Sequence, residues 1–444
     1  MNLAKWPDVT ARIAEMPLGQ AYGRVVGAAG MVVTCEGLPK AALGARCGIG
    51  DVQTLNGREI RMAEVVGHKN GQTMLMPFGG LEGVGPGCRV FPEAGQPTVR
   101  VNQSWLGRVV DALGNPLDGK GPLATLGGEA RLIKASPPPA GLRMPLGPKM
   151  DMGVRVFNTA LPLCEGQRLG IFAGSGVGKS VLMGMLAQHS KADVNVIGLV
   201  GERGREVREF VEDQLGPQGL ARSVVVVATG DEPPLMRRQA ALMTMAIAEY
   251  FRDCNFKVLL MLDSVTRFAL AQREIGLASG EPPTTRGFTP SVFAELPKLL
   301  ERAGPGLGKG SISAIFTVLV EGGDMEEPVA DAVRGIVDGH IVLTRAMAER
   351  GHFPAVDVLK SVSRTVPQCL SADENAVVMK LRRVMSTYAD MEELIRLGAY
   401  TKGSDPEVDE AMRLMPGVNA FLQQAPTERA GMAESFAALK KIVG

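Results

Sequence analysis

The stretch FAGSGVGKS, Phe172–Ser180, decides how the rest of the chain is read. It follows an apolar run, RLGIFA, and opens a helical one, SVLMGMLAQHS. A strand, a glycine-rich turn and a helix in that order form a loop suited to phosphate. Gly174, Gly176 and Gly178 allow successive backbone N–H groups to turn inward around phosphate oxygens. With Ser175, Val177, Lys179 and Ser180 they form the expected nucleotide-binding set. Lys179 supplies a mobile positive charge for the β- and γ-phosphates. Ser180 offers a hydroxyl to Mg²⁺ at a helix N-terminus, where negative charge is favoured. The strict pattern begins with Gly, whereas Ala173 stands here; alanine is tolerated if its φ stays negative. The bland alternative is a glycine-rich turn that carries GKS by accident.

Two further stretches bear on that choice. KVLLMLD is an apolar strand that ends in Asp263, placing a carboxylate where a second Mg²⁺ ligand is needed. VIGLVGERGREV puts Glu202 and Arg203 just past another strand, on the same carboxyl edge, where ligands of parallel sheets gather. A carboxylate there can orient an attacking water, an effect of about 10²–10⁴ in rate. Spacing alone leaves open a second reading, in which Glu202 is a surface charge paired with Arg205 or Arg208.

The 444 residues exceed one compact core and, at about 150 residues per domain, suggest two to four domains. With 48 basic and 47 acidic residues, the net charge of +1 gives no sign of a nucleic-acid coat. The first twenty residues lack an apolar core of signal-peptide length, and no apolar run is long enough to span a membrane. Cys35, Cys47, Cys88, Cys164, Cys254 and Cys369 are scattered without a CxxC pair, which points to reduced cytosolic thiols. The four histidines are isolated, which argues against a His-based metal site.

The patterning predicts an α/β fold: a P-loop NTPase core with a parallel sheet, preceded by a small β-barrel and followed by a helical domain. Short glycine-broken strands such as GRVVGAAGMVVTCEG indicate the barrel, over 19–95. Unalternated apolar runs between helical stretches, as in VNVIGLV and SVVVVA, indicate a parallel sheet covered on both faces, over 96–366. The proline-laden segment KASPPPAGLRMPLGP, 134–148, cannot be helix or central strand. Amphipathic helices such as VDEAMRLMPGVNAFLQQ fill 367–444. Residues 1–18 carry Leu3, Trp6, Ile13 and Met16 at near-helical spacing. They are expected to dock a partner, touch lipid or clamp onto the barrel.

Taken in order, GSGVGKS, LVGERGREV, LMLDSVTRFA, PPTTRGFTPSVFAELPKLLERAG and RGHFPAVDVLKSVSRTVP resemble the rotary-type ATPase subunits. Within that family the chain is most similar to the flagellar and type III secretion export ATPases, over nearly its whole length. The resemblance implies Mg-dependent ATP hydrolysis in a homohexameric ring that powers protein export. It makes Glu202 the catalytic carboxylate and Lys179 its phosphate-binding partner. It places Arg203 and Arg267 near the γ-phosphate or shaping its site, Phe353 against adenine, and Arg364 in a neighbour's site as an arginine finger. Such a finger contributes about 10³–10⁵ in rate. The alternative for Arg364 is an interface salt bridge. The acidic loop VEGGDMEEP, Val320–Pro328, is expected to line the ring's opening, although relatives carry Asp where Gly323 stands. A solvated acidic turn is the alternative. EPPTTRGFTP, with Arg286 and Phe288, is a second candidate pore loop.

The same resemblance implies an export regulator or stator protein, a central-stalk-like protein, the export gate, and export substrates with chaperones as partners. It also implies a cytoplasmic location, peripheral at the inner membrane face. Competing readings are the ATPase of a virulence-type injectisome and the catalytic subunit of a proton-driven ATP synthase. A non-catalytic nucleotide-binding subunit is disfavoured by the acid at Glu202. A ring-shaped RNA translocase fails on charge, since residues 1–95 hold nine Lys and Arg against eight Asp and Glu.

Overall fold

A computed structural model of the chain describes residues 22–38, 41–54, 57–124, 127–366 and 368–444. The expected docking segment, 1–18, lies outside them. Two units are distinguishable: one runs to Pro97 and includes Ile275–Glu281, and the other comprises Thr98–Glu274 and Pro282–Gly444.

The first unit is a closed six-stranded barrel. Its strands are β1 (Gly23–Ala29), β2 (Val32–Glu36), β3 (Arg46–Thr54), β4 (Gly57–Lys69), β5 (Gln72–Pro77) and β6 (Arg89–Pro92), in spatial order β1-β2-β5-β4-β3-β6. Closure pairs every strand edge, which removes the exposed edges an open sheet would carry. Val25, Val33, Ile49, Val65, Leu75 and Val90 fill its interior.

In the second unit, β7 (Thr98–Val101) pairs with β9 (Glu129–Leu132) apart from the main sheet. The main sheet takes β8 (Arg108–Asp111), β10 (Arg168–Ala173), β11 (Val194–Glu202), β12 (Ser223–Thr229) and β13 (Lys257–Asp263). It continues with β14 (Gly304–Pro305), β15 (Ser311–Leu319), β16 (Gly339–Leu343) and β17 (Val356–Ser363). Their order is β17-β16-β10-β15-β13-β11-β12-β8, with β14 joined to β15. From β16 to β8 every neighbouring pair is parallel; β17 closes one edge antiparallel. All of β11 before Glu202 is buried, as its unbroken apolar run requires.

The stretch REVREFVEDQL departs from the single helix its pattern suggests. Gly204–Glu209 is α-helical, Phe210–Leu215 winds as a π-helix, and Gly216–Ala221 resumes the α-helix. Pro217 has no N–H to donate, and Gly216 turns at φ 63°, so the hydrogen-bond ladder changes step there. Segment 134–148 contains only a short 3-10 turn at Ala140–Leu142. VDVLKSVS forms β17, which its mixed composition did not announce.

Three helices close the chain: Ala372–Arg396, Pro406–Leu422 and Met432–Val443. The first is fixed by a capping box, in which Ser371 and Glu374 each accept from the other's backbone N–H. Leu381, Val384, Leu414, Val418, Phe421 and Leu439 belong to the same continuous core as Ile171, Leu186, Leu259 and Ile315 of the sheet region.

Candidate active site

β10 delivers the chain to the loop 174–178, and the helix Lys179–His189 carries it away. Gly176 and Gly178 have φ of 75° and 87°, a region that side chains disfavour, so glycine is required at both. Ala173 is not among the positive-φ residues, which accounts for alanine at that position. The helix begins on Gly178 with no side-chain cap and no acid in its first turn. Its first N–H groups are therefore free for an anion.

Parallel pairing sets the remaining groups around this loop. β15 separates β10 from β13, and β13 pairs with β11 in a register that aligns Asp263 with Leu199. Asp263 and Glu202 thus emerge at the carboxyl ends of adjacent strands. The ammonium of Lys179 lies between them, contacting Asp263 Oδ1 and standing 3.4 Å from Glu202 Oε1. Asp263 is 3 % exposed, and the Thr317 hydroxyl donates to its Oδ1 at 2.7 Å. Burial and the neighbouring Asp263 push the Glu202 carboxyl up to about 7, against the opposing pull of Lys179. Lys179 is also buried, but the two carboxylates hold its pKa above the usual lysine value.

Lys179 and Glu202 face a cavity of about 1240 Å³, roomy for a nucleoside triphosphate, whereas Asp263 is not part of its lining. The whole phosphate loop, Ser180, Glu202, Arg203 and Arg267 line it. Arg267 is packed so closely on Gly201 that a Cβ there would lie 2.8 Å from its Cβ and Cγ, and Gly201 has φ 73°. Arg203 reaches Glu206 Oε1 at 3.4 Å and is otherwise open to solvent.

Phe353 and Arg364 do not line the cavity. Phe353 lies beside the loop, its ring 3.3 Å from where a Cβ of residue 178 would stand, and is 45 % exposed. Its carbonyl accepts from the Gln424 N–H at 2.9 Å. The buried Gln424 side chain in turn donates to Gly153 O and accepts from the Arg155 N–H. Arg364 sits just past β17, exposed, with Nη2 donating to Arg334 O at 3.3 Å. Its neighbours Ser363 and Thr365 are buried, share a 3.0 Å hydroxyl contact and both bond to Gln167. The anchored flanks turn Arg364 outward.

The fit for a divalent cation is good. Ser180 supplies a hydroxyl on the cavity wall and Asp263 a buried carboxylate that Lys179 and Thr317 now engage, an oxygen set suited to a hard ion. Among the described residues no cluster of three His, Cys, Asp or Glu could hold a metal. Such an ion would therefore depend on the phosphates as well.

Several groups at the site escaped the sequence reading. Thr317 is a polar residue within an apolar strand, a weak signal that was present in SISAIFTVL. Arg345 donates to the Ser175 carbonyl at 3.3 Å. The acidic loop contributes Gly322, Gly323 and Met325 to the cavity wall. Gly323 turns at φ 81°, where glycine is favoured. The two candidate pore loops also touch, since Arg286 donates to Asp324 Oδ2 at 3.2 Å.

Residues 153–363 match the nucleotide-binding domain of the ATP synthase alpha/beta family, and residues 370–441 match the T3SS EscN ATPase C-terminal domain. The flagellum-specific ATP synthase of Caulobacter vibrioides is 55% identical over 95% of this chain and 96% of that protein. The chain belongs to the flagellum-specific ATP synthase and type III secretion ATPase family. The type 3 secretion system ATPase of Xanthomonas euvesicatoria, of the same family, is 47% identical over 95% of this chain and 94% of that protein. A solved family structure, the assembled ATPase EscN with its central stalk EscO from enteropathogenic E. coli, superposes with a TM-score of 0.86. It is 41% identical and covers 95% of this chain and 100% of that one. As a member of this family the chain is an ATP-hydrolysing enzyme of type III export.

Proposed function

We propose that this chain is the ATPase of a flagellar export apparatus and works as a ring of six identical subunits. The observation that carries this reading is the Lys179 ammonium, held between Glu202 and Asp263 at the start of a helix that has no side-chain cap. Lys179 and the loop amides bind and orient the triphosphate. Glu202, ionised, accepts a hydrogen bond from the attacking water and aligns it with the γ-phosphate. Arg203 and Arg267 place positive charge on the cavity wall. Ser180 and Asp263 are the residues to hold Mg²⁺, whose charge would offset that developing on the β- and γ-phosphates.

Arg364 is exposed, does not line the cavity of its own chain, and is the candidate to complete a neighbour's site. The assembled state of the EscN relative supports a ring, and its complex with EscO supports a central-stalk partner. The higher identity to the Caulobacter flagellar protein than to the Xanthomonas enzyme favours flagellar export over an injectisome. A stator or regulator, the export gate and chaperoned substrates are the further partners proposed, with no nucleic acid. No described helix is long and apolar enough to cross a membrane. The proposed position is cytoplasmic, at the inner face of the membrane, held there by partners.

Two measurements test the reading. Turnover per subunit should rise steeply with protein concentration as rings form; a rate independent of concentration in a monomer would sink the ring. Deletion in the native host should abolish filament assembly and spare effector secretion.

A further inference from the structure

The wall opposite the carboxylates is built by β16 and the residues after it. β10 and β16 run parallel with Ala173 aligned to Leu343. Two residues further along both chains stand Ser175 and Arg345, and there the Arg345 Nη2 donates to the Ser175 carbonyl at 3.3 Å. The segment after β16 therefore frames the phosphate loop twice: Arg345 lies on Ser175, and Phe353 lies beside Gly178.

This contact has an electrostatic consequence. A phosphate loop works because its N–H groups point into the cavity, so its carbonyls must point elsewhere and find donors. A carbonyl swung inward would repel the phosphate it should help to bind. Arg345 also lines the cavity. Most cations nearby are engaged by acids: Lys179 by Asp263 and Glu202, Arg203 by Glu206, and Arg334 by Asp331. Among the described residues no carboxylate forms an ion pair with Arg345. Its charge is left over for an anion.

We propose that Arg345 is a positioning residue for the phosphate loop, holding the Ser175 carbonyl out of the cavity and lending net positive charge to nucleotide binding. It acts on affinity and not on bond cleavage, because it reaches the loop from the side away from Glu202. The proposal rests on the nucleotide-site reading above.

The test measures ADP affinity by calorimetry, KM for MgATP, and kcat, in wild type and in Arg345→Ala, Arg345→Lys and Lys179→Ala. Loss of one charge-assisted hydrogen bond should weaken ADP binding and raise KM by about tenfold to a hundredfold in Arg345→Ala, with kcat within about threefold. Arg345→Lys, which keeps the charge and one donor, should recover much of the loss. A purely architectural role would lower the melting temperature of both variants and leave their ADP affinity intact. Unchanged affinity in Arg345→Ala beside lost affinity in Lys179→Ala overturns this proposal alone. Unchanged affinity in Lys179→Ala overturns the nucleotide site itself. A collapse of kcat at constant KM overturns the positioning role.

Discussion

Glu202 Oε1 stands 3.4 Å from the Lys179 ammonium, yet its carboxyl ionises only near pH 7. Burial raises it first, Asp263 second, and Glu206 adds to both, while Lys179 pulls the other way. A protonated Glu202 keeps a carbonyl acceptor but loses the negative charge with which it would orient and polarise the attacking water. The kcat/KM of the enzyme should therefore rise through about pH 7, a profile that reports the free enzyme. Glu206→Gln removes one raising influence and should move that acidic limb to lower pH. The titration of ATP itself is common to both proteins and cancels in the comparison. For folding the sign is opposite: a carboxyl raised from 4.5 to about 7 stabilises the fold below 4.5 and loses that contribution as pH climbs through 7.

Lys179→Ala removes the proposed phosphate ligand and also leaves Glu202 and Asp263 facing each other without a cation. Nucleotide binding and hydrolysis should both vanish. Stability should fall by about 2–3 kcal/mol, under the usual cost of breaking a buried pair because Glu202 can take up a proton. Glu202→Gln keeps the shape and relieves the repulsion of Asp263. It should bind ATP normally, melt no lower than wild type, and lose about 10²–10⁴ in turnover. Thermal melts beside binding and turnover measurements separate the two variants.

Gly201→Ala should damage the site without touching a charged group. Its φ of 73° disfavours a side chain, and the added carbon would meet Arg267 at 2.8 Å. About 2–3 kcal/mol of strain and overpacking is expected, with Arg267 displaced and turnover reduced. Gly204→Ala is the control, since an added Cβ there meets nothing within 4 Å at the head of a helix. It should be neutral or stabilising by about 1 kcal/mol. Equal melting temperatures for the two variants would contradict the packing argument.

Arg364→Ala should retain ATP binding and lose about 10³–10⁵ in turnover. Mixed with Lys179→Ala protein, it should regain part of the activity, because some seams then join an intact pocket to an intact arginine. Absence of recovery in mixed rings, with assembly verified by size, would remove the role assigned to Arg364.

Much of the site was legible because its groups stand at ends of strands, where sequence spacing translates directly into position. Lys179, Glu202 and Asp263 follow apolar runs that could only be buried parallel strands, and such strands bring their carboxyl ends to one edge. Arg345 and Gln424 were not legible for the converse reason, and Thr317 showed only as a polar residue inside an apolar strand. Each reaches its partner through lateral pairing or layer packing, and a single sequence carries no record of which strands are neighbours. The barrel's strands were legible as short glycine-broken runs, but their order was not. Strand β17 was obscured by its four polar residues, of which Asp357 and Lys360 reach the surface while Ser361 and Ser363 are buried. The π-helical step at Phe210–Leu215 depends on a competition between Pro217 and the packing of Phe210 and Leu215, which periodicity does not register.

The terminal helices share one apolar interior with the ATPase sheet, and that has a practical result for anyone trimming the protein. Cutting after Ser371 would not release an autonomous catalytic module. It would expose the oily flank that Leu381, Val418 and Leu439 now cover, and the shortened product should aggregate or melt early.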